Sequence, residues 1–141
     1  MPDFNVYWGD FHKHLEDLDN AETLMQSARG NLDFYPVLEY PFYWYEVGGG
    51  LKIESVRNRP RFLEMWETLR ELAIRYNEPG RFTTFLGYEW NGNRTRWGDH
   101  NVIWFDPAEG ELLDTWDLPD LYEQLRGRRV LALPHHTAYA G

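Results

Sequence analysis

The chain has 141 residues, enough for one domain, is 43% hydrophobic and carries a net charge of −9. That acidic balance argues against a nucleic-acid backbone as partner, and with no run of about 18 apolar residues nothing is expected to enter a membrane. There is no cysteine, which excludes disulfides and thiolate zinc sites, so any metal must be held by histidine and carboxylate.

The first nine residues of interest, Val6 to His14 (VYWGDFHKH), read as the end of a strand running from about Phe4 to Phe11. Strand alternation then puts Val6, Trp8, Asp10, His12 and His14 on one face, apolar at its start and polar at its end. Two imidazoles two residues apart at a strand end can grip one metal or bridge two, whereas read singly they are ordinary surface histidines. An acidic loop follows, and Asp19 with Glu22 predicts the cap of a short helix through Ala28, stopped at Gly30. Asp33 to Tyr40 reads as a second strand, although Pro36 argues against a central position for it. It ends on Glu39, a second candidate ligand. The aromatic run Phe42-Tyr43-Trp44-Tyr45 follows, read as packing, with pocket lining as the alternative. Gly48-Gly49-Gly50 marks a loop apex.

Asn58 to Tyr76 is the clearest helix, with Asn58 as cap and Pro60 in the first turn. Its stripe of Phe62, Met65, Trp66, Leu69, Leu72, Ala73 and Tyr76 follows the 3.6-residue period of a core-facing helix. Arg81 to Trp90 predicts a third strand, finishing on Glu89. Arg94 and Arg96 lie in the loop after it, as solvated residues or as a phosphate clamp. His100 then opens a strand through Phe105, at the opposite end from the other candidates unless a hairpin reverses the chain. Asp117 caps a short helix to Leu125. A last strand, Arg128 to Leu133, runs into Pro134-His135-His136.

All five histidines thus fall at strand ends, with Asp10, Glu39 and Glu89 at comparable places. Strand–helix alternation gathers such ends on one rim of an α/β sheet or barrel, where sites form. That convergence predicts a histidine–carboxylate metal site more specifically than any one motif.

The order His12-Lys13-His14, Glu89, His100, His135 resembles the PHP superfamily, the polymerase and histidinol phosphatase domain. The strings YWGDFHKH, FTTFLGYEWNG, HNVIWF and LALPHH look like one PHP-like branch, and the resemblance covers nearly the whole chain. It implies an α/β fold built as a distorted (β/α)₇ barrel. It also implies two or three divalent metals (zinc, manganese or iron) and hydrolysis of small-molecule phosphoesters by metal-activated water. On that analogy His12 and His14 hold metal, Glu89 bridges metals, and His100 and His135 complete the shells, with His136 as the alternative to His135. Asp10 takes an orienting role beside the catalytic Glu89.

Two departures stand out. Where the family's second motif ends in Asp-His, this chain has Glu39-Tyr40, and the final Asp-x-His has no counterpart. About five strands fit in 141 residues, so the expectation is a single domain, residues 1–141, forming an incomplete barrel cut short at its C-terminal end. The alternative is a non-catalytic metal-binding or interaction module. A carbohydrate binder would rest on the 17% aromatic content alone. No basic-then-apolar leader is visible at the start, which makes the cytoplasm the default compartment.

Overall fold

The computed structural model describes residues 4–15 and 18–136. In chain order it contains α1 (Ala21–Asn31), β1 (Phe34–Glu39), β2 (Phe42–Val47), β3 (Gly50–Ser55) and α2 (Pro60–Tyr76). There follow β4 (Thr83–Trp90), α3 (Arg94–Trp97), β5 (Asp99–Trp104), α4 (Leu118–Leu125) and β6 (Val130–His136). The fold is mixed α/β: a four-stranded sheet in the order β1-β4-β5-β6 and a separate β2–β3 hairpin. The described residues close no barrel. None of their helices is long and apolar enough to cross a membrane.

Alternation along the strands gives the sheet two unlike faces. One carries Val37, Leu86, Tyr88, Trp90, Val102 and Trp104, and it packs on Met25 of α1, Trp66 and Leu69 of α2 and Leu121 of α4. Every buried residue of these three helices belongs to that one cluster. The opposite face carries Phe34, Leu38, Phe85, Gly87, Glu89, Asn101, Ile103 and Phe105. At its lower end Phe11, Phe34, Phe85 and Phe105 make a chain of ring contacts, with Phe105 46% exposed. At its upper end lie the polar groups described below.

The expected first strand does not form as a regular strand. Residues 4–15 run alongside β1 but touch it in two isolated parallel bridges, Gly9 to Phe34 and His14 to Leu38. Five steps on this segment match four on β1, so one residue is extra. The cause lies opposite: the N–H groups of Phe34 and Leu38 reach Trp8 O and Lys13 O, and between them stands Pro36, which has no N–H. Asp10 Oδ1 accepts from His12 N at 2.7 Å and closes the resulting bend. The slip reverses the alternation. Gly9 and His14 face the inner side, whereas Trp8, expected beside the histidines, lies 70% exposed. A Cβ at Gly9 would sit 2.3 Å from the Phe34 ring, so a larger residue here would push that ring aside.

Other element ends also shift. Asp19 does not cap α1; it lies in a 3₁₀ turn, Leu18–Asn20, and the helix continues past Gly30 to Asn31. Asn58 closes a second 3₁₀ turn, capped by Ser55 Oγ, and α2 starts at Pro60. The aromatic run forms β2, paired with β3 through a two-residue turn in which Gly48 (φ 60) and Gly49 (φ 79) are both left-handed. Asp117 precedes α4 as expected, but its carboxylate takes Asn93 Nδ2 and Trp97 Nε1 rather than the helix amides.

Candidate metal centre

β1 and β4 are parallel, while β5 is antiparallel to both β4 and β6. The start of β5 therefore lies at the same rim as the ends of β1, β4 and β6. Glu89, near the end of β4, is the hub of this rim, with only 3% of its side chain exposed. His14 Nε2 lies 2.7 Å from its Oε2, His12 Nε2 3.5 Å from the same oxygen, and His135 Nε2 4.0 Å from Oε1. His12, Glu89 and His135 each offer a ligand atom within 4.8 Å of the other two.

His12 is held from behind. Its Nδ1 lies 3.2 Å from Asn101 Oδ1, and Asn101 Nδ2 donates to Phe11 O at 3.1 Å. The amide oxygen therefore accepts from His12 Nδ1–H, and when the ring is neutral its lone pair is on Nε2, facing Glu89. The His135 ring stacks on His12 with centroids 3.6 Å apart. It faces inward by alternation from Leu133, the partner of Asn101; beyond it the β5–β6 register shifts between Asp99 and His100, leaving His135 as the extra residue before His136. His14 stacks flat on Tyr40, centroids 4.1 Å and planes 3° apart, and its buried Nδ1 has no hydrogen-bond partner. The Tyr40 hydroxyl donates to Glu89; burial and the Glu89 charge push the phenol up.

Asp99 completes the inner face. It is fully buried and pairs with Arg94 Nη2 at 2.5 Å. Burial alone would raise the Glu89 carboxyl. The His14 hydrogen bond and the charges of His14 and His12 outweigh it and hold the group at about 2. Burial holds the His135 imidazole below its ordinary value, and the neighbouring His12 charge adds to this. An ionised carboxylate ringed by imidazole nitrogens is a donor set that ligates cations.

Two expected ligands lie elsewhere. His100 is at the right rim but on the wrong face: it pairs across with Trp90, and its ring meets Trp90 and Tyr122 on the helix side. Burial lowers its basicity, and its Nδ1 is unpartnered. Glu39 pairs in register with Tyr88 and shares that side, so it does not join the cluster. Its Oε1 accepts from Tyr40 N, its Oε2 has no partner, and burial raises the carboxyl to about 7. Asp10 orients the His12 backbone, its Oδ1 accepting from His12 N. His136 is exposed, edge-on to His135. Arg94 stands beside the cluster through Asp99, whereas Arg96 stacks on Trp97 at 4.7 Å.

Sequence reasoning passed over Asp99, Asn101 and the part played by Tyr40. The signal was available in Asp99-His100-Asn101: if Asn101 faces the site, period two brings Asp99 and removes His100. A concavity of about 700 Å³ beside the β2–β3 hairpin, lined by Tyr43, Arg59 and Phe62, includes no cluster residue.

The donor set fits a divalent cation. Zinc ligands about 2.0–2.1 Å from the metal stand about 3.3 Å apart, and the His12–Glu89 and His135–Glu89 separations are 3.5 and 4.0 Å. Fold and site thus define an α/β protein with a histidine–carboxylate centre at one rim of its sheet. The chain belongs to the family described as "Protein of unknown function (DUF3604)", whose profile matches residues 47–140, about two thirds of it. That span includes Glu89, Asp99 and His135 but not His12 or His14. No curated protein and no solved structure matches the chain.

Proposed function

We propose that this chain acts in a metal-dependent hydrolase of the PHP type, on phosphoesters, with its metal held by His12, Glu89 and His135 and with His14 at hand. The observation that carries the reading is the convergence of three chain-distant imidazoles on one buried, ionised carboxylate. A bound zinc, manganese or iron would supply Lewis-acid polarisation of the ester and a water of lowered pKa. This chain's own groups do the rest: Asn101 fixes the His12 tautomer, Tyr40 stacks on His14, and the Arg94–Asp99 pair lies next to Glu89. On this reading the inner face of the sheet, with Phe34, Phe85 and Phe105, is the inside of a (β/α)₇ barrel of which this chain supplies a part.

The test is elemental analysis of protein stripped by chelator and reloaded with zinc, manganese or iron. About one or more ions per chain, lost in His12→Ala and in Glu89→Ala, is the expected result. Metal unchanged in either variant overturns the site. A non-catalytic metal-binding module is the second reading, favoured by Tyr40 standing where the PHP pattern has an imidazole and by Glu39 facing away. Metal-loaded protein inert towards a panel of phosphoesters would select it.

A further inference from the structure

The apolar stripe of α2 begins one turn before the core does. Its buried members are Trp66, Leu69, Leu72 and Ala73, whereas Phe62 and Met65, at the start of the stripe, are only half-buried. These two border the concavity of about 700 Å³ beside the β2–β3 hairpin. Three separate parts of the chain wall it: α2, the turn before α1 through Leu18, and β2 through Tyr43. Alternation along β2 puts Tyr43 and Tyr45 on one face of the hairpin and Trp44 on the other. Trp44 Nε1 donates to Asn91 O, in the loop that leaves β4. The concavity and that loop therefore lie against opposite faces of the hairpin.

Arg59 supplies the wall with a prepared polar group. Its guanidinium carbon lies 4.4 Å from the Tyr43 ring centroid, 5.3 Å from that of Tyr45 and 6.0 Å from that of Phe62. Glu54, paired with Tyr43 across the hairpin, accepts from its Nε at 2.8 Å. Stacking and an ion pair thus fix the guanidinium, while its Nη groups take no acceptor among the described residues and the side chain stays 32% exposed. A free Nη edge of this kind takes a carboxylate in parallel hydrogen bonds. Arg61, on the same wall, is exposed and has no ion-pair partner among the described residues. Asp19 also borders the concavity and has an interaction of its own. With Asp19 and Glu54 already present, the wall suits one added negative charge better than two. Tyr43 keeps 41% of its surface exposed although Arg59, Tyr45 and Phe62 all touch it. Its ring and that of Phe62 meet at 47°, so a third ring laid against both would find a face on one and an edge on the other. A hollow of this size, apolar and aromatic with few convergent polar groups, has the form of a small-molecule site.

We infer that this concavity is a second ligand site, for a monoanionic aryl carboxylate, with the carboxylate on the Nη edge of Arg59 and the aromatic body against Tyr43, Phe62 and Met65. It shares no residue with the metal cluster and does not rest on the metal-hydrolase reading.

The test is calorimetry on the full chain after chelator treatment, so that no metal is present to take the carboxylate. The probes are 2-naphthoate, its neutral analogue 2-naphthamide, and hexanoate, which keeps the charge without the ring. 2-Naphthoate is expected to bind about tenfold tighter than either of the others. Arg59→Met/Glu54→Gln, neutral on both sides, is expected to bring 2-naphthoate down to the level of 2-naphthamide and to leave 2-naphthamide unchanged. Tyr43→Ala is expected to weaken both naphthyl probes by about fivefold or more, and Tyr43→Phe, which keeps the ring, to bind them as the wild type does. Circular dichroism on each variant checks the fold. Equal binding of 2-naphthoate and 2-naphthamide overturns the inference, as does a preference for 2-naphthoate that survives Arg59→Met/Glu54→Gln. 2-Naphthoate binding that appears only after zinc is restored belongs to the metal cluster and overturns it too.

Discussion

At the scale of single residues, the proposed metal site depends on groups that hold its candidate ligands as much as on those ligands. Asn101 Oδ1 fixes His12 by accepting from Nδ1–H. Asn101→Ala should therefore lower zinc affinity about 10- to 100-fold with the fold intact, as read by a competitive chelator titration. His100 offers the opposite case. It lies on the helix side against Trp90 and Tyr122, so His100→Ala should leave metal content unchanged. Loss of metal in that variant would return His100 to the ligand set. Glu39 makes a prediction about pH. Its carboxyl is raised from 4.5 to about 7 by burial, so the folded state prefers it neutral. Its contribution to stability is whole below its ordinary value and is lost as the pH rises through about 7. Glu39→Gln should gain on the wild type between about pH 5 and about pH 8, by ~1–3 kcal/mol in urea unfolding. A difference independent of pH would show that Glu39 ionises without cost.

At the scale of elements, a one-residue irregularity aims two of the histidines. The bend at Asp10, opposite Pro36, turns His12 and His14 inward, whereas His135 faces inward on β6 by ordinary alternation from Leu133, the partner of Asn101. β4 between them must be tightly flanked. A Cβ at Gly87 would meet Val102 O at 2.6 Å and Leu38 Cδ2 at 2.8 Å. Gly87→Ala should accordingly cost about 1–3 kcal/mol, because the close atom on the β5 side is backbone and cannot swing away. Chemical denaturation measures this. An unchanged midpoint would mean that β5 sits farther from β4 than described. The helices were the easy part of the sequence. The stripe of α2 named its buried face, and Pro60 marked its start. Their caps were harder to read, since side chains such as Asp117 serve tertiary partners that a local pattern does not contain.

At the scale of the molecule, stability and function lie on opposite faces of one sheet. The helix side holds the large core, with Trp66 3% exposed against Tyr88. Trp66→Ala should cost about 3–5 kcal/mol and, in a fold this small, reduce circular dichroism across the whole chain. The inner face holds the cluster and the phenylalanine chain, and Phe105 is already 46% exposed. Phe105→Ser should change stability by less than about 1 kcal/mol while lowering binding of an apolar dye. Comparable losses in the two variants would contradict this division. The net charge of −9 makes no such distinction.

The sequence by itself determined the elements with strong period, the gathering of polar residues at one rim, and the four groups His12, His14, Glu89 and His135 that meet there. These follow from local physics: apolar spacing, turn chemistry, and the rule that strand ends collect on one edge. Only the tertiary structure decided that β5 runs antiparallel, that Asp99 rather than His100 faces Glu89, and that Glu39 turns to the helices while Tyr40 turns to the site. The reason is the two-residue period of a strand. A slip of one residue exchanges the faces, and where such a slip falls is fixed by the partner strand, here by Pro36, which lies far from His12 and His14 in the chain.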